Sequence, residues 1–197
     1  MRLALVSSKG GTGKTTSSVF LASVLHRQGR TLAIDADPQG SLMAWKDAAG
    51  GLPFSVVSMP TKYLNREIND VASGFDHVVI DTPPGEMSIT RAAILSVPLV
   101  LVPLSPTGLD IDRLRPTWEA LAEIEPTHPL GLAVGVLLTK VRRGTRSRRE
   151  AREVLTELDY PILDTEIPLG EWPYAVSFGT APEDCGAYDD LLAELKS

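Results

Sequence analysis

The apolar run Leu3-Ala4-Leu5-Val6 is followed almost at once by Lys9-Gly10-Gly11-Thr12-Gly13-Lys14-Thr15-Thr16, and no other stretch constrains the fold as strongly. A buried strand that breaks into a glycine-rich loop and then into a helix makes a cradle for phosphate. The glycines let the backbone curl so that successive N–H groups converge on phosphate oxygens. Lys14 is placed to reach the β- and γ-phosphates, and the Thr15 hydroxyl to ligate Mg²⁺. The helix that begins near Lys14 adds its positive dipole end to the same point. The general pattern would put a first glycine at Ser8, where it is missing, while an additional lysine, Lys9, stands near the start of the loop. Without the flanking strand and helix, the same residues would be only a glycine turn with incidental lysines.

Strand-like apolar runs alternate with helical patterns along nearly the whole chain. Strands are predicted over residues 3–7, 31–35, 54–58, 76–81, 98–102, 132–138 and 161–167. Helices are predicted over 15–28, 64–71, 89–95, 111–124 with an interruption at Pro116, about 147–158, and 189–196. Val78-Val79-Ile80 shows no alternation, as befits a strand covered on both faces. This order predicts one α/β domain over residues 1–197, a doubly wound, mostly parallel sheet flanked by helices. With 197 residues, 43% of them hydrophobic, the chain suffices for one such core. Ligands of such sheets bind beyond the carboxyl ends of the strands. Residues 8–16, 35–41 and 81–85 all fall there.

Two further segments carry carboxylates to that edge. Asp81 ends the buried run and is followed by Thr82-Pro83-Pro84-Gly85, a stiff turn suited to sensing a γ-phosphate. A hydrophobic strand ending in aspartate is the usual second half of a nucleotide site, where the carboxylate holds Mg²⁺. Asp35-Ala36-Asp37-Pro38-Gln39-Gly40-Ser41 brings two more acids, one to orient the metal's water shell and one to polarise an attacking water. Alone, Asp37 before Pro38 would read as an Asx turn. Its place on the phosphate-facing edge favours chemistry.

Composition removes several classes of function. The single cysteine, Cys185, allows no internal disulfide and no cysteine-rich metal site. No apolar run approaches the ~20 residues that cross a bilayer. The first strand begins at the N-terminus, so no signal peptide is expected and a cytoplasmic location is. A net charge of -6 argues against a surface that coats nucleic acid as a whole. One segment departs from that balance: residues 140–152 hold seven positive charges against one negative. It reads either as a solvated helix face with i,i+4 partners such as Arg146 and Glu150 or as a contact for phosphate backbones. Arg142 and Arg143, on a loop beside Gly144, favour the second. With no aromatic residue in the stretch, base stacking is not expected.

With these elements in hand, the chain resembles the ParA/MinD-type ATPases of the deviant phosphate-loop class, most of all the short, ParF-like ParA proteins that partition plasmids and chromosomes. Residues 9–16 match the family's KGGxGKTT, Asp35–Gln39 its DxDPQ and Asp81–Gly85 its DTPPG. The resemblance implies ATP and Mg²⁺ as cofactors, with Gly10, Gly11, Thr12, Gly13, Lys14, Thr15 and Thr16 on the nucleotide. It implies that Thr15, Asp35 and Asp81 serve the metal, and that Lys14 and Asp37 act in hydrolysis, Asp37 by positioning water. Lys9 would be the signature lysine that crosses to the partner's nucleotide in an ATP-bound homodimer. Pro168, with Ile167 and Ser177-Phe178-Gly179, would border the adenine. There the chain departs from the family, with Leu169-Gly170-Glu171-Trp172-Pro173 in place of a more basic run, and Trp172 either stacks on the base or packs.

The resemblance further implies that the dimer binds DNA non-specifically, here through Arg142, Arg143, Arg146, Arg148 and Arg149. A ParB-like or adaptor protein would stimulate hydrolysis and release it, giving a nucleoid-associated cytoplasmic protein with no membrane partner. A MinD-like membrane switch would want a basic amphipathic tail, and residues 189–197 are short and acidic. A metabolic enzyme on the same loop remains a further alternative, a small-molecule ligase rather than an iron–sulfur reductase, which needs paired cysteines.

Overall fold

The computed structural model describes residues 1–170, 174 and 177–197. Trp172 and the question of its stacking therefore lie outside the described residues. The elements run β1 (Arg2–Leu5), α1 (Lys14–His26), β2 (Thr31–Asp35), α2 (Ser41–Ala48), β3 (Ser55–Ser58) and α3 (Leu64–Val71). They continue with β4 (His77–Asp81), α4 (Met87–Ile94), β5 (Leu99–Leu104), α5 (Gly108–Asp112), α6 (Arg115–Ile124), β6 (Ala133–Leu138), α7 (Arg146–Glu157) and α8 (Ala187–Glu194). The six strands form one sheet in the order β3-β2-β4-β1-β5-β6, every adjacent pair parallel. The architecture is the doubly wound α/β sheet that the alternation predicts.

Each face of the sheet has its own core. Ala4, Ile34, Val78, Ile80, Val100 and Val136 face α3, α4, α6 and α7. Leu3, Leu5, Ala33, Val79, Leu101 and Leu137 face α1, α2 and α8. Helix α1 is covered almost all round because it lies between the sheet and α8. Phe20 has no exposed surface and packs at 5.2 Å, centroid to centroid, on both Tyr174 and Tyr188. Burying such a ring contributes about 2–3 kcal/mol. Within this core Ser17 Oγ and Tyr188 OH pair at 2.8 Å, which satisfies two hydroxyls that would otherwise be buried unpaired.

Three expectations need correction. The predicted strand over 161–167 is not continuous: its two ends meet the sheet edge through isolated bridges, Val136 to Ile162 and Val141 to Pro168, and through Ile167 N on the Leu138 carbonyl at 2.8 Å. Side chains take the backbone and acids between those points. The N–H groups of Asp164 and Thr165 donate to the Glu194 carboxylate at 2.6 and 2.8 Å, and Glu166 accepts from Arg148 and Arg152. The helix predicted over 111–124 divides into α5 and α6, and Pro116 sits in the first turn of α6, where its missing N–H costs nothing. Helix α2 goes unforeseen, although Leu42 and Trp45 form a short buried stripe.

Candidate functional site

The site is laid out by strand register. Leu5 pairs with Asp81 across β1 and β4, and Asp81 pairs with Asp35 across β4 and β2. One rung of the sheet thus carries the end of β1, where the glycine loop begins, and both strand-end carboxylates. A cavity of about 270 Å³ lies above it, lined by Gly10, Gly11, Gly13, Lys14, Thr15, Thr16, Asp37, Gln39, Ser41 and Pro84. The structure brings together in one place the glycine loop, Asp37 and the Asp81 turn.

The loop is built for an anion. Gly11 and Gly13 take left-handed conformations, φ 75° and 92°, that other residues adopt only under strain. Gly13 is also the N-cap of α1, with no side-chain cap and no acid in the first turn. The N–H groups at the helix start are therefore left for a ligand. Lys14 is 7% exposed, and its ammonium donates to the Lys9 carbonyl at 3.1 Å. Burial pulls its pKa below the ordinary lysine value, while Asp81 and Asp37 oppose that shift.

The acids divide the labour. Asp81 is fully buried and accepts from Thr15 Oγ1 at 2.7 Å and Ser18 Oγ at 3.2 Å. Burial pushes its carboxyl up to about 7, with the Asp35 charge adding to the shift and Thr15 and Lys14 opposing it. A cation placed here would reverse that balance. Asp35 spends both oxygens on backbone, accepting from the N–H of Asp37 at 3.2 Å and of Met43 at 2.9 Å, so it holds the loop and the start of α2. Asp37 does form the Asx turn, its Oδ1 accepting from Gln39 N at 2.9 Å, and it still lines the cavity.

Lys9 turns away from its own loop's cavity. Its ammonium pairs with the carboxylate of Asp110, in α5, which is 4% exposed. The loop start is fastened to the same region: Ser8 N donates to Thr117 Oγ1 and Ser8 Oγ to the Arg113 carbonyl. Neither Asp110 nor Ser18 stands out in sequence. Asp110 lies 101 residues from Lys9, and Ser18 is a small polar residue inside a helix.

Pro168 lies elsewhere, in a larger cavity of about 670 Å³ with Val141, Arg143, Arg148, Asp164, Thr165 and Glu166. No glycine of the phosphate loop lines that cavity. The arginine segment is partly neutralised. Arg146 pairs with Glu150, as sequence spacing suggests, and Arg148 and Arg152 converge on Glu166, which it does not. Arg142, Arg143 and Arg149 make no ion pair among the described residues.

Comparison with known proteins agrees with this geometry. A family described as the CobQ/CobB/MinD/ParA nucleotide binding domain matches residues 3–175. The maintenance of carboxysome distribution protein A of Gloeobacter kilaueensis is 35% identical over 172 residues, 84% of this chain and 75% of that one. The chromosome-partitioning ATPase Soj of Treponema pallidum is 23% identical over 242 aligned positions, covering 98% of this chain and 96% of its own. Among solved structures, apo McdA from Cyanothece superposes with a TM-score of 0.81 at 18% identity, covering 98% of both chains. MinD of Pyrococcus horikoshii complexed with Mg-ADP gives 0.72 at 22% identity, covering 100% of this chain and 98% of that one.

Proposed function

Because the chain belongs to the CobQ/CobB/MinD/ParA nucleotide-binding family, we propose that it is a ParA-type partitioning ATPase, a switch whose ATP-bound dimer holds DNA and lets go after hydrolysis. The observation that carries this reading is the cavity in which the glycine loop and Lys14 face Asp37 above the Thr15–Asp81 pair. A structural phosphate site needs the cradle alone. A carboxylate across from it is what hydrolysis requires.

The donor set suits Mg²⁺, which keeps several waters and binds through one or two protein oxygens plus phosphate. Thr15 Oγ1 and Asp81 would hold it, and Asp35 would serve it from behind by fixing the loop that carries Asp37. Held there, the ion would supply positive charge beside the phosphate oxygens. Lys14, largely desolvated, adds a cation whose effect is strengthened by the absence of water. Asp37 holds a water against the terminal phosphate. Lys9, at the rim, completes the partner's site in an isologous dimer, each subunit giving and receiving the same lysine.

Dimerisation doubles the arginine segment, and weak phosphate contacts made by one subunit become bivalent on one duplex. A ParB-like or adaptor partner would then stimulate hydrolysis, with the protein resident on the nucleoid. The relatives' names span chromosome partitioning and carboxysome distribution, so they support the switch and not a particular cargo. No helix among the described residues is long and apolar enough to cross a membrane. The test is ATP turnover by the purified chain with Mg²⁺ and with chelator, with duplex DNA present and absent. Absence of Mg-dependent turnover under every condition would remove the ATPase reading.

A further inference from the structure

Two residues at the end of β6 reach back to the glycine loop. Thr139 Oγ1 donates to the Thr12 carbonyl at 2.8 Å, and Lys140 Nζ donates to the Gly11 carbonyl at 2.6 Å. Thr139 is 3% exposed, and its side chain stands 3.9 Å from where a Cβ on Gly13 would lie. Lys140 holds a left-handed backbone, φ 54°, which costs a lysine energy and persists only where the surroundings demand it. The same short stretch is pinned from its far side, with Val141 N on the Ile167 carbonyl at 3.0 Å and Leu169 N on the Val141 carbonyl at 2.8 Å. The two donors are thus held rigidly against two consecutive loop carbonyls.

A trans peptide is planar, so the carbonyl of one residue and the N–H of the next point in opposite directions. Fastening the Gly11 carbonyl toward β6 turns the Thr12 N–H away from β6. Fastening the Thr12 carbonyl does the same for Gly13. Gly11 and Gly13 line the phosphate cavity, whereas Thr139 and Lys140 do not. The fastened carbonyls therefore face the scaffold and the released N–H groups face the ligand side. A glycine-rich loop has no side chains to fix its peptide planes, so without these anchors each plane is free to turn over.

We infer that Thr139 and Lys140 are positioning residues of the phosphate site, orienting the Thr12 and Gly13 amides toward the phosphate chain. The inference rests on the nucleotide reading above. It also takes Lys140 out of the arginine segment with which sequence groups it, and gives that cation a task on the loop.

The test uses Mg-ATP and, as a probe with a phosphate chain and no base, inorganic tripolyphosphate with Mg²⁺, both measured by calorimetry. Thr139→Val removes the hydroxyl and keeps the shape. Lys140→Asn removes the ammonium and keeps a residue that tolerates the left-handed backbone. Each should weaken both ligands by the same factor, about five- to tenfold, the scale of one lost hydrogen bond. Thr139→Ser and Lys140→Arg should stay within about twofold, and the melting temperature of the unliganded protein should not move. Unchanged tripolyphosphate affinity in Thr139→Val and Lys140→Asn overturns the inference. So does a loss of affinity that merely follows a loss of unliganded stability, since the pair would then only brace β6. If the unchanged chain binds neither ligand, the nucleotide reading fails first and carries this inference with it.

Discussion

Lys9 and Asp110 form an ion pair within one subunit, between a lysine one-third exposed and a carboxylate almost wholly buried. A lysine that is to complete a neighbour's site must first leave this partner. Asp110→Asn removes the charge and keeps the shape, and should shift ATP-dependent dimerisation to lower protein concentration, by up to about tenfold. Lys9→Ala should bind nucleotide and stay monomeric, and it leaves the Asp110 carboxylate unpaired at a cost of about 1–3 kcal/mol. Light scattering and thermal melts read both effects. An ATP-induced dimer of Lys9→Ala would contradict the crossing role.

Lys14 and Asp37 should separate binding from chemistry. Lys14→Ala removes a desolvated cation from the phosphate cavity and should abolish productive Mg-ATP binding. Asp37→Ala leaves the cradle intact and should retain ATP while turnover falls by about two orders of magnitude or more. Turnover of Asp37→Ala at the rate of the unchanged chain would remove that residue from the mechanism.

Asp81 should make the unliganded protein pH-sensitive. Its carboxyl is raised to about 7 by burial, so between the unfolded value of 3.8 and that point the folded state holds a proton the unfolded state has lost. Stability from this group is thus fully present below pH 4 and lost as pH rises through 7, an effect on the order of 4 kcal/mol. Asp81→Asn should flatten this part of the pH profile without destabilising the unliganded fold at pH 8, while Mg-dependent nucleotide binding weakens. Denaturant melts between pH 5 and pH 8 check the first, and calorimetry with Mg²⁺ the second. A profile equally steep in Asp81→Asn would assign the slope to another group.

The arginines should sort by their partners. Arg142, Arg143 and Arg149 have none among the described acids, whereas Arg148 is held by Glu166. Converting the first three to alanine should weaken DNA binding at every sequence and lower the salt slope by roughly one unit per lost contact. Arg148→Ala should act mainly on the melting temperature. A triple variant that dimerises on ATP and binds duplex DNA as tightly as the unchanged chain would make this stretch an ordinary solvated surface.

What sequence reveals here is whatever the chain states locally. Lys14, Thr15 and Asp81 follow or end apolar strands, and the rule that ligands gather at carboxyl ends places them together from sequence alone. Asp110, Thr139 and Lys140 act through contacts 101, 127 and 129 residues away, with no local pattern to announce them. Residues 161–167 have the apolar pattern of a strand, yet in the middle of it Glu194 takes the amides of Asp164 and Thr165 and Arg152 takes the Leu163 carbonyl, so the ladder is lost there. Asp37 carries both of its sequence meanings, the turn and the cavity wall, because a carboxylate has more than one oxygen to offer.

The broken pairing beyond β6 also bears on how copies of this chain can gather. An open sheet invites addition of further strands at its rims. One rim, β3, is only four residues long and ends in exposed serines at both sides. The other is interrupted where Asp164 and Thr165 bond to Glu194 instead of presenting free amides. Strand-by-strand growth from one molecule to the next is therefore disfavoured at both rims of the sheet.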